Sequence, residues 1–168
     1  MKKVFALMML AISLLMSSAY AAEENTNKEE KQMHQEFTTV FARGAKNDAY
    51  AKYFVGQSYL NMLSLEQVVI GNVTFEPGCR NNWHIHHADK GGGQILLVTG
   101  GRGYYQEWGK EARELLPGDV VNIPAGVKHW HGAAPNSWFA HLAIEVPGEN
   151  TRNEWCEPVA EKEYRLLK

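Results

Sequence analysis

Five histidines fall in two short windows of this 168-residue chain: His84, His86 and His87 in "WHIHHADKGGGQ", and His129 and His131 in "KHWHGA". On a β-strand, residues i and i+2 face one side. Each H-x-H pair therefore aims two imidazoles the same way, while His87 faces opposite to His84 and His86. Imidazole nitrogen is the commonest metal ligand among side chains. Two such pairs on separate strands can converge on one ion. A lone buried histidine is usually only hydrogen-bonded, and exposed histidines need no function. Five of them beside glycine-punctuated strands point to a metal site.

Short strands must carry these pairs. From Val68 onward, "VVIGNVTFEPG", "QILLVTGGRG" and "GYYQEWGKE" are apolar or alternating runs that stop at Gly and Pro, with a turn near Gly109-Lys110. "LLPGDVVNIPAGVKHWHGA" holds two strands divided by Pro124-Ala125-Gly126, and "WFAHLAIEVPG" is another. Upstream, one further strand is expected around Tyr53–Leu60 after a loop. Many short strands, regular turn residues and almost no helical periodicity imply an all-β barrel or sandwich. Only the tail "EPVAEKEYRLLK" reads as helical, with Pro158 near its first turn. No internal repeat or low-complexity tract interrupts the pattern.

Bulk properties narrow the function further. Residues 1–21 carry two lysines, an apolar stretch from Val4 to about Met16 and small residues at Ala19 and Ala21, the pattern of a cleavable secretory signal peptide. The apolar run is short for a membrane span, so a bacterial periplasmic or secreted product is expected, with no membrane partner after cleavage. Loss of Lys2 and Lys3 would move the formal charge from −2 to −4. A mildly acidic chain without a basic cluster gives no footing for nucleic acid. Residues 22–45 read as a polar linker and N-terminal arm, in which His34 is solvated. A barrel over 46–150 and a C-terminal extension with a short helix over 151–168 follow. Cys79 and Cys156 lie far apart in sequence, and an oxidising compartment permits a disulfide without requiring one.

The two histidine windows resemble the two motifs of the cupin superfamily. "GCRNNWHIH" from Gly78 fits glycine, five residues, then H-x-H, and "GDVVNIPAGVKHWHGA" from Gly118 fits G-x5-P-x-G-x2-H with His129 as ligand. The resemblance runs from about Tyr53 to Val146. It implies a single-domain jelly-roll β-barrel, a homodimer, and one divalent metal held by three histidines and an acid. Pairing of edge strands between two copies would also cover open backbone groups. The sequence departs from the family in two places. Gln94 stands where a glutamate is usual, after a longer gap that offers Asp89 as a rival, and the second motif ends at Ala133 instead of asparagine. His84, His86, Gln94 and His129 are thus the expected ligands. Three imidazoles and an amide would leave the full charge on the ion, polarising a bound oxygen strongly. Mixed N/O ligation suits Mn²⁺ or Fe²⁺ first, with Ni²⁺ and Zn²⁺ as alternatives.

A finer resemblance is to the carboxymuconolactone-decarboxylase-associated cupins and to bacterial manganese cupins with hydroxynitrile lyase activity, which use a three-His, one-Gln site. It implies that His141, in "WFAHLAI", sits beside the metal as a general base. His131 is expected as an outer partner of the site or a pocket wall, and Tyr53, Gln57, Tyr104, Gln106 and Trp130 as pocket-lining candidates. The expected function is metal-dependent lyase or proton-transfer chemistry on a small oxygenated molecule. A cupin dioxygenase and a non-enzymatic metal or small-ligand binding module are the alternatives.

Overall fold

Alternation along the strands sets the architecture. In Gln94–Gly101, the residues Gln94, Leu96 and Val98 are buried, while Leu97 between them is exposed. A strand with one apolar face needs a second layer to cover it. A computed structural model describes residues 37–167, and from Thr38 they form one compact unit. The expected signal peptide, His34 and most of the linker lie outside the described residues.

In chain order the strands are β1 (Ala45–Lys46), β2 (Phe54–Val55), β3 (Ser58–Ser64), β4 (Ile70–Phe75), β5 (Arg80–Asn81), β6 (His84–His87), β7 (Lys90–Gly91) and β8 (Gln94–Gly101). They continue with β9 (Gly103–Glu107), β10 (Arg113–Leu115), β11 (Val120–Ile123), β12 (Lys128–Ala133), β13 (Phe139–Glu145), β14 (Gly148–Glu149) and β15 (Arg152–Trp155). One sheet runs β1-β3-β4-β13-β8-β11; the other runs β10-β9-β12-β5-β2, with β6 paired to both β12 and β15. The small β7–β14 ladder closes one end. Phe75, Leu96, Val98, Leu115, Val121, Ile123 and Phe139 pack between the sheets. This is the all-β jelly roll that the motifs imply.

Three local features depart from the expected pattern. The strand expected around Tyr53–Leu60 is split: Asp48–Tyr53 forms a 3₁₀ turn, and Gly56, at φ +85°, separates β2 from β3. Positive φ is a conformation glycine adopts at little cost. The C-terminal extension contributes β15 to the histidine-bearing sheet, pairing Trp155 with His84 and Asn153 with His86. Its helix α1 spans only Glu161–Tyr164, beginning beyond Pro158. It is pinned where Arg80 meets Glu161 at 2.6 Å and Tyr164 donates to the Ala133 carbonyl at 2.7 Å. Cys79 and Cys156 are both free thiols. No described helix is long and apolar enough to cross a membrane.

Candidate metal centre

Antiparallel pairing of β6 with β12 sets His129 directly opposite His84. The two H-x-H pairs therefore lie side by side on the inner face of one sheet. One nitrogen from each of His84, His86 and His129 falls within 4.8 Å of the others. The remaining nitrogens are already committed. His84 Nδ1 donates to the Asn82 carbonyl at 2.9 Å, His129 Nδ1 to the Val127 carbonyl at 2.9 Å, and His86 Nδ1 to Glu145 Oε2 at 3.0 Å. Such partners fix the tautomer with its lone pair on Nε2, the form a metal needs.

Across the barrel, Gln94 opens β8 and lines the same cavity. Gly93 makes that start possible: its φ is +94°, and a Cβ there would overlap the Ile123 carbonyl. Gln94 Oε1, His86 Nε2 and His129 Nε2 are all buried without a hydrogen-bond partner. Buried polar atoms are seldom left unpaired, so three orphans on this one group of residues mark a place built for a ligand. Three imidazole nitrogens and an amide oxygen fit a divalent ion of the Mn²⁺, Fe²⁺, Ni²⁺ or Zn²⁺ kind. Asp89 does not share this position; it is exposed and accepts from Asn150 Nδ2 at 2.7 Å.

Burial also keeps four of the barrel's histidines neutral. It holds His84 well below the ordinary histidine value, reinforced by neighbouring His129 and His86. It lowers His129 to about 4. His131 is likewise held well below its ordinary value by burial and by His141, and burial lowers His141 to about 4. Desolvation disfavours the imidazolium in each case.

The cavity beside these ligands has a volume of about 540 Å³. His131 lines it, but His141 does not. His141, expected as the base beside the metal, reaches the site through His131. It projects from the opposite sheet into the core between Phe75 and Phe139, at ring distances of 5.5 and 5.4 Å, and meets His131 from behind. His141 Nε2 stands 3.0 Å from His131 Nδ1. Its own Nδ1 faces the backbone of Leu142 without a well-formed hydrogen bond. Asn81 clamps His131 from the other side: Oδ1 accepts the His131 backbone N–H at 2.9 Å, and Nδ2 lies 3.1 Å from Nε2.

None of the five expected pocket residues lines the cavity. Trp130, Gln106 and Tyr104 sit on the outer face of the second sheet, where Trp130 Nε1 donates to Gln106 Oε1 at 2.7 Å. Trp130 and Tyr104 pack in a second apolar cluster with Val159 and Tyr164. Parity explains this, because Trp130 lies between two inward histidines. Gln57 turns back to the Ser58 carbonyl. Tyr53 stands one layer out, stacked on Trp155 at 4.5 Å.

The residues that do form the walls come partly from segments the motifs do not cover. Trp155 stacks on His84 at 4.8 Å. Phe54, Leu60, Val73 and Ala143 add apolar surface, with Asn81 and Asn153 as polar points. His87 points outward, donating to Glu154 Oε2 at 2.8 Å. Glu145, which holds His86, belongs to neither motif. The only signal for it is that β13 ends beside the start of β8.

Comparison with known proteins accords with this geometry. The family model described as "Cupin domain" matches residues 71–141. The chain is 46% identical over 94 residues to a Granulicella tundricola protein named (R)-mandelonitrile lyase, covering 56% of this chain and 69% of that one. A cupin-like protein from Thermotoga maritima superposes with a TM-score of 0.66 at 40% identity, covering 77% of this chain and 96% of that one. The DMSP lyase of Ruegeria pomeroyi, at 18% identity and a TM-score of 0.50 over 74% of this chain and 63% of that one, shares the fold alone. With both histidine motifs in register and relatives matched over most of their length, this chain belongs to the cupin family.

Proposed function

We propose that the protein is a metal-dependent lyase that cleaves or forms a carbon–carbon bond next to a hydroxyl or carbonyl, with an α-hydroxynitrile as the substrate class. The observation that carries this is the set of unpartnered donor atoms on His86, His129 and Gln94, beside a cavity that His86, Gln94 and His131 line. The named activity of the 46% identical relative supports the substrate class.

His84, His86, His129 and Gln94 would hold one divalent ion, Mn²⁺ or Fe²⁺ first. Such an ion supplies Lewis acidity, which lowers the pKa of a hydroxyl held against it. The chain's own residues do the rest. The apolar wall of Trp155, Phe54 and Leu60 binds the organic group and excludes water. His131, neutral in its buried setting, would accept the substrate hydroxyl proton at Nε2 as the hydroxyl displaces the Asn81 NH₂ that contacts it there. As the C–C bond breaks, its electron pair leaves with cyanide and the C–O bond becomes a carbonyl. His131 then returns the proton to cyanide, so hydroxynitrile yields aldehyde and hydrogen cyanide. His141 accepts from His131 Nδ1–H and keeps Nε2 the basic nitrogen.

We further propose a periplasmic or secreted location, supported by the signal-like residues 1–21. A homodimer is supported by Leu97 and Val120, paired neighbours exposed on the outer face of the first sheet.

The test starts with bound metal per chain in untagged protein, measured by mass spectrometry for the wild type, Gln94→Ala and His129→Ala. Near-stoichiometric metal that falls in both variants is expected, followed by aldehyde release from mandelonitrile. Wild type without metal after reconstitution refutes the mechanism. Metal with oxygen uptake on catechol-like substrates, and no aldehyde release, favours a dioxygenase instead.

A further inference from the structure

Gln94 raises a question of orientation and a question of charge, and one residue answers both. An amide can turn either its oxygen or its NH₂ toward the ion. Only the oxygen ligates well, and nothing in the side chain itself selects it. A neutral amide also removes the anionic ligand that a glutamate would bring. Glu145 is the last residue of β13 and the direct cross-strand partner of Gln94. Its backbone is pinned on both sides: its N–H donates to the Val69 carbonyl at 3.0 Å, and the next residue, Val146, donates to the Gly93 carbonyl at 3.1 Å. Its two carboxylate oxygens are divided. Oε2 accepts from His86 Nδ1 at 3.0 Å, and Oε1 faces Gln94 Nε2 across a longer contact of 3.4 Å.

We infer that Glu145 is the positioning residue of this centre, an outer carboxylate that turns Gln94 Oε1 and His86 Nε2 toward the ion and supplies the negative charge that Gln94 lacks. A carboxylate is an acceptor only, so the NH₂ of Gln94 must face it and Oε1 must face away. That leaves Oε1 buried and unpartnered, as observed. The same carboxylate holds the proton of His86 on Nδ1. Two of the four ligands are therefore oriented by one charged group, one hydrogen bond away from the ion. The inference rests on the proposed metal site and goes beyond it by assigning a residue outside the ligand set.

The arrangement predicts a specific rescue. Glu145→Gln can accept from His86 or from Gln94 but not from both, since one of its two positions is now a donor. Gln94→Glu alone sets two carboxylates against each other. In Gln94→Glu/Glu145→Gln every contact is restored in reverse. The amide oxygen introduced at position 145 accepts from His86, and its NH₂ donates to the carboxylate introduced at position 94, which now carries the charge as a ligand.

The experiment titrates Mn²⁺ into the metal-free full chain and follows free Mn²⁺ by its EPR signal, with thermal unfolding of each metal-free variant measured alongside. Glu145→Gln is expected to weaken Mn²⁺ binding about 10- to 100-fold, the usual range for residues that orient ligands. Metal-free stability should hold, because Glu145 is 38% exposed. Gln94→Glu should strengthen binding at least ten-fold more in the Glu145→Gln background than in the wild type. Equal effects of Gln94→Glu in both backgrounds, or a Glu145→Gln affinity within two-fold of wild type, overturn the inference while leaving the metal site standing. A wild type that binds no Mn²⁺ overturns the site and this inference together. If Glu145→Gln also lowers the metal-free melting temperature, the double variant decides: recovery of both properties supports the swap, and recovery of neither refutes it.

Discussion

Acid should unfold the metal-free protein far more readily than its carboxylates alone would allow, because folding forces buried histidines to stay neutral. His129 and His141 each fall from an ordinary value of 6.5 to about 4. Below pH 6.5 the unfolded chain takes up protons that the folded chain refuses. Stability is therefore complete above pH 6.5 and drains away as the pH falls toward 4. For one such histidine, the difference at pH 5 amounts to about 2 kcal/mol. His129 and His141 together remove about 4 kcal/mol, and His84 and His131, also held low, deepen the loss. Against a domain stability of about 5–15 kcal/mol, that is a large share, and it moves acid unfolding to higher pH. The assay is urea unfolding of metal-free protein at pH 8, 6 and 5, followed by tryptophan fluorescence. His141→Phe fits between Phe75 and Phe139 and isolates one term. It leaves His131 Nδ1 without its partner and so costs about 1–3 kcal/mol at every pH. Its loss between pH 8 and pH 5 should nonetheless be smaller than that of the wild type by about 2 kcal/mol. Identical pH slopes for wild type and variant would refute the reasoning.

Three further outcomes follow from the same geometry. His131→Phe should abolish turnover while leaving Mn²⁺ affinity within about three-fold, since it removes the proton acceptor and no ligand; a large loss of metal would contradict its assignment to the cavity wall. Gly93→Ala should destabilise the protein by more than about 2 kcal/mol in urea unfolding, from left-handed backbone strain and overlap with the Ile123 carbonyl. Thiol labelling of native protein should modify Cys156 and spare Cys79, which is fully buried with its thiol pushed up to about 12, whereas unfolded protein should label at both.

What the sequence made legible was whatever depends on local periodicity. The two H-x-H pairs specify inward-facing imidazoles because strand parity is strict, and the glycine and proline spacing specifies short strands. The same parity also argues against Trp130, which stands between two inward residues, and it carries Gln106 and Tyr104 to the outer face with it. Chemical plausibility as pocket residues could not override alternation. What was not legible depends on pairing across long separations. Whether His131 or His141 reaches the cavity is decided by how two facing sheets meet, and both satisfy parity on their own strands. β15 and its Trp155 join the histidine sheet from 71 residues beyond His84, with nothing in "TRNEWCE" to announce the pairing. Glu145 is hidden for the same reason, its role arising from a cross-strand register.

The hydrogen bonds of the fold itself orient the ligands. His84 and His129 each donate Nδ1–H to a backbone carbonyl two residues earlier, so strand geometry alone presents Nε2. His86 is the exception, because its Nδ1 looks across to the other sheet and needs Glu145. Two ligands are thus set locally, and the other two, His86 and Gln94, depend on one residue that joins the sheets. Burial has already removed the proton from the rings whose values are lowered, so an ion arriving at neutral pH displaces few protons from them. The energy withheld from imidazolium formation is what leaves the folded, metal-free barrel open to acid. Acid sensitivity and readiness for a divalent ion are therefore one property of the same buried rings.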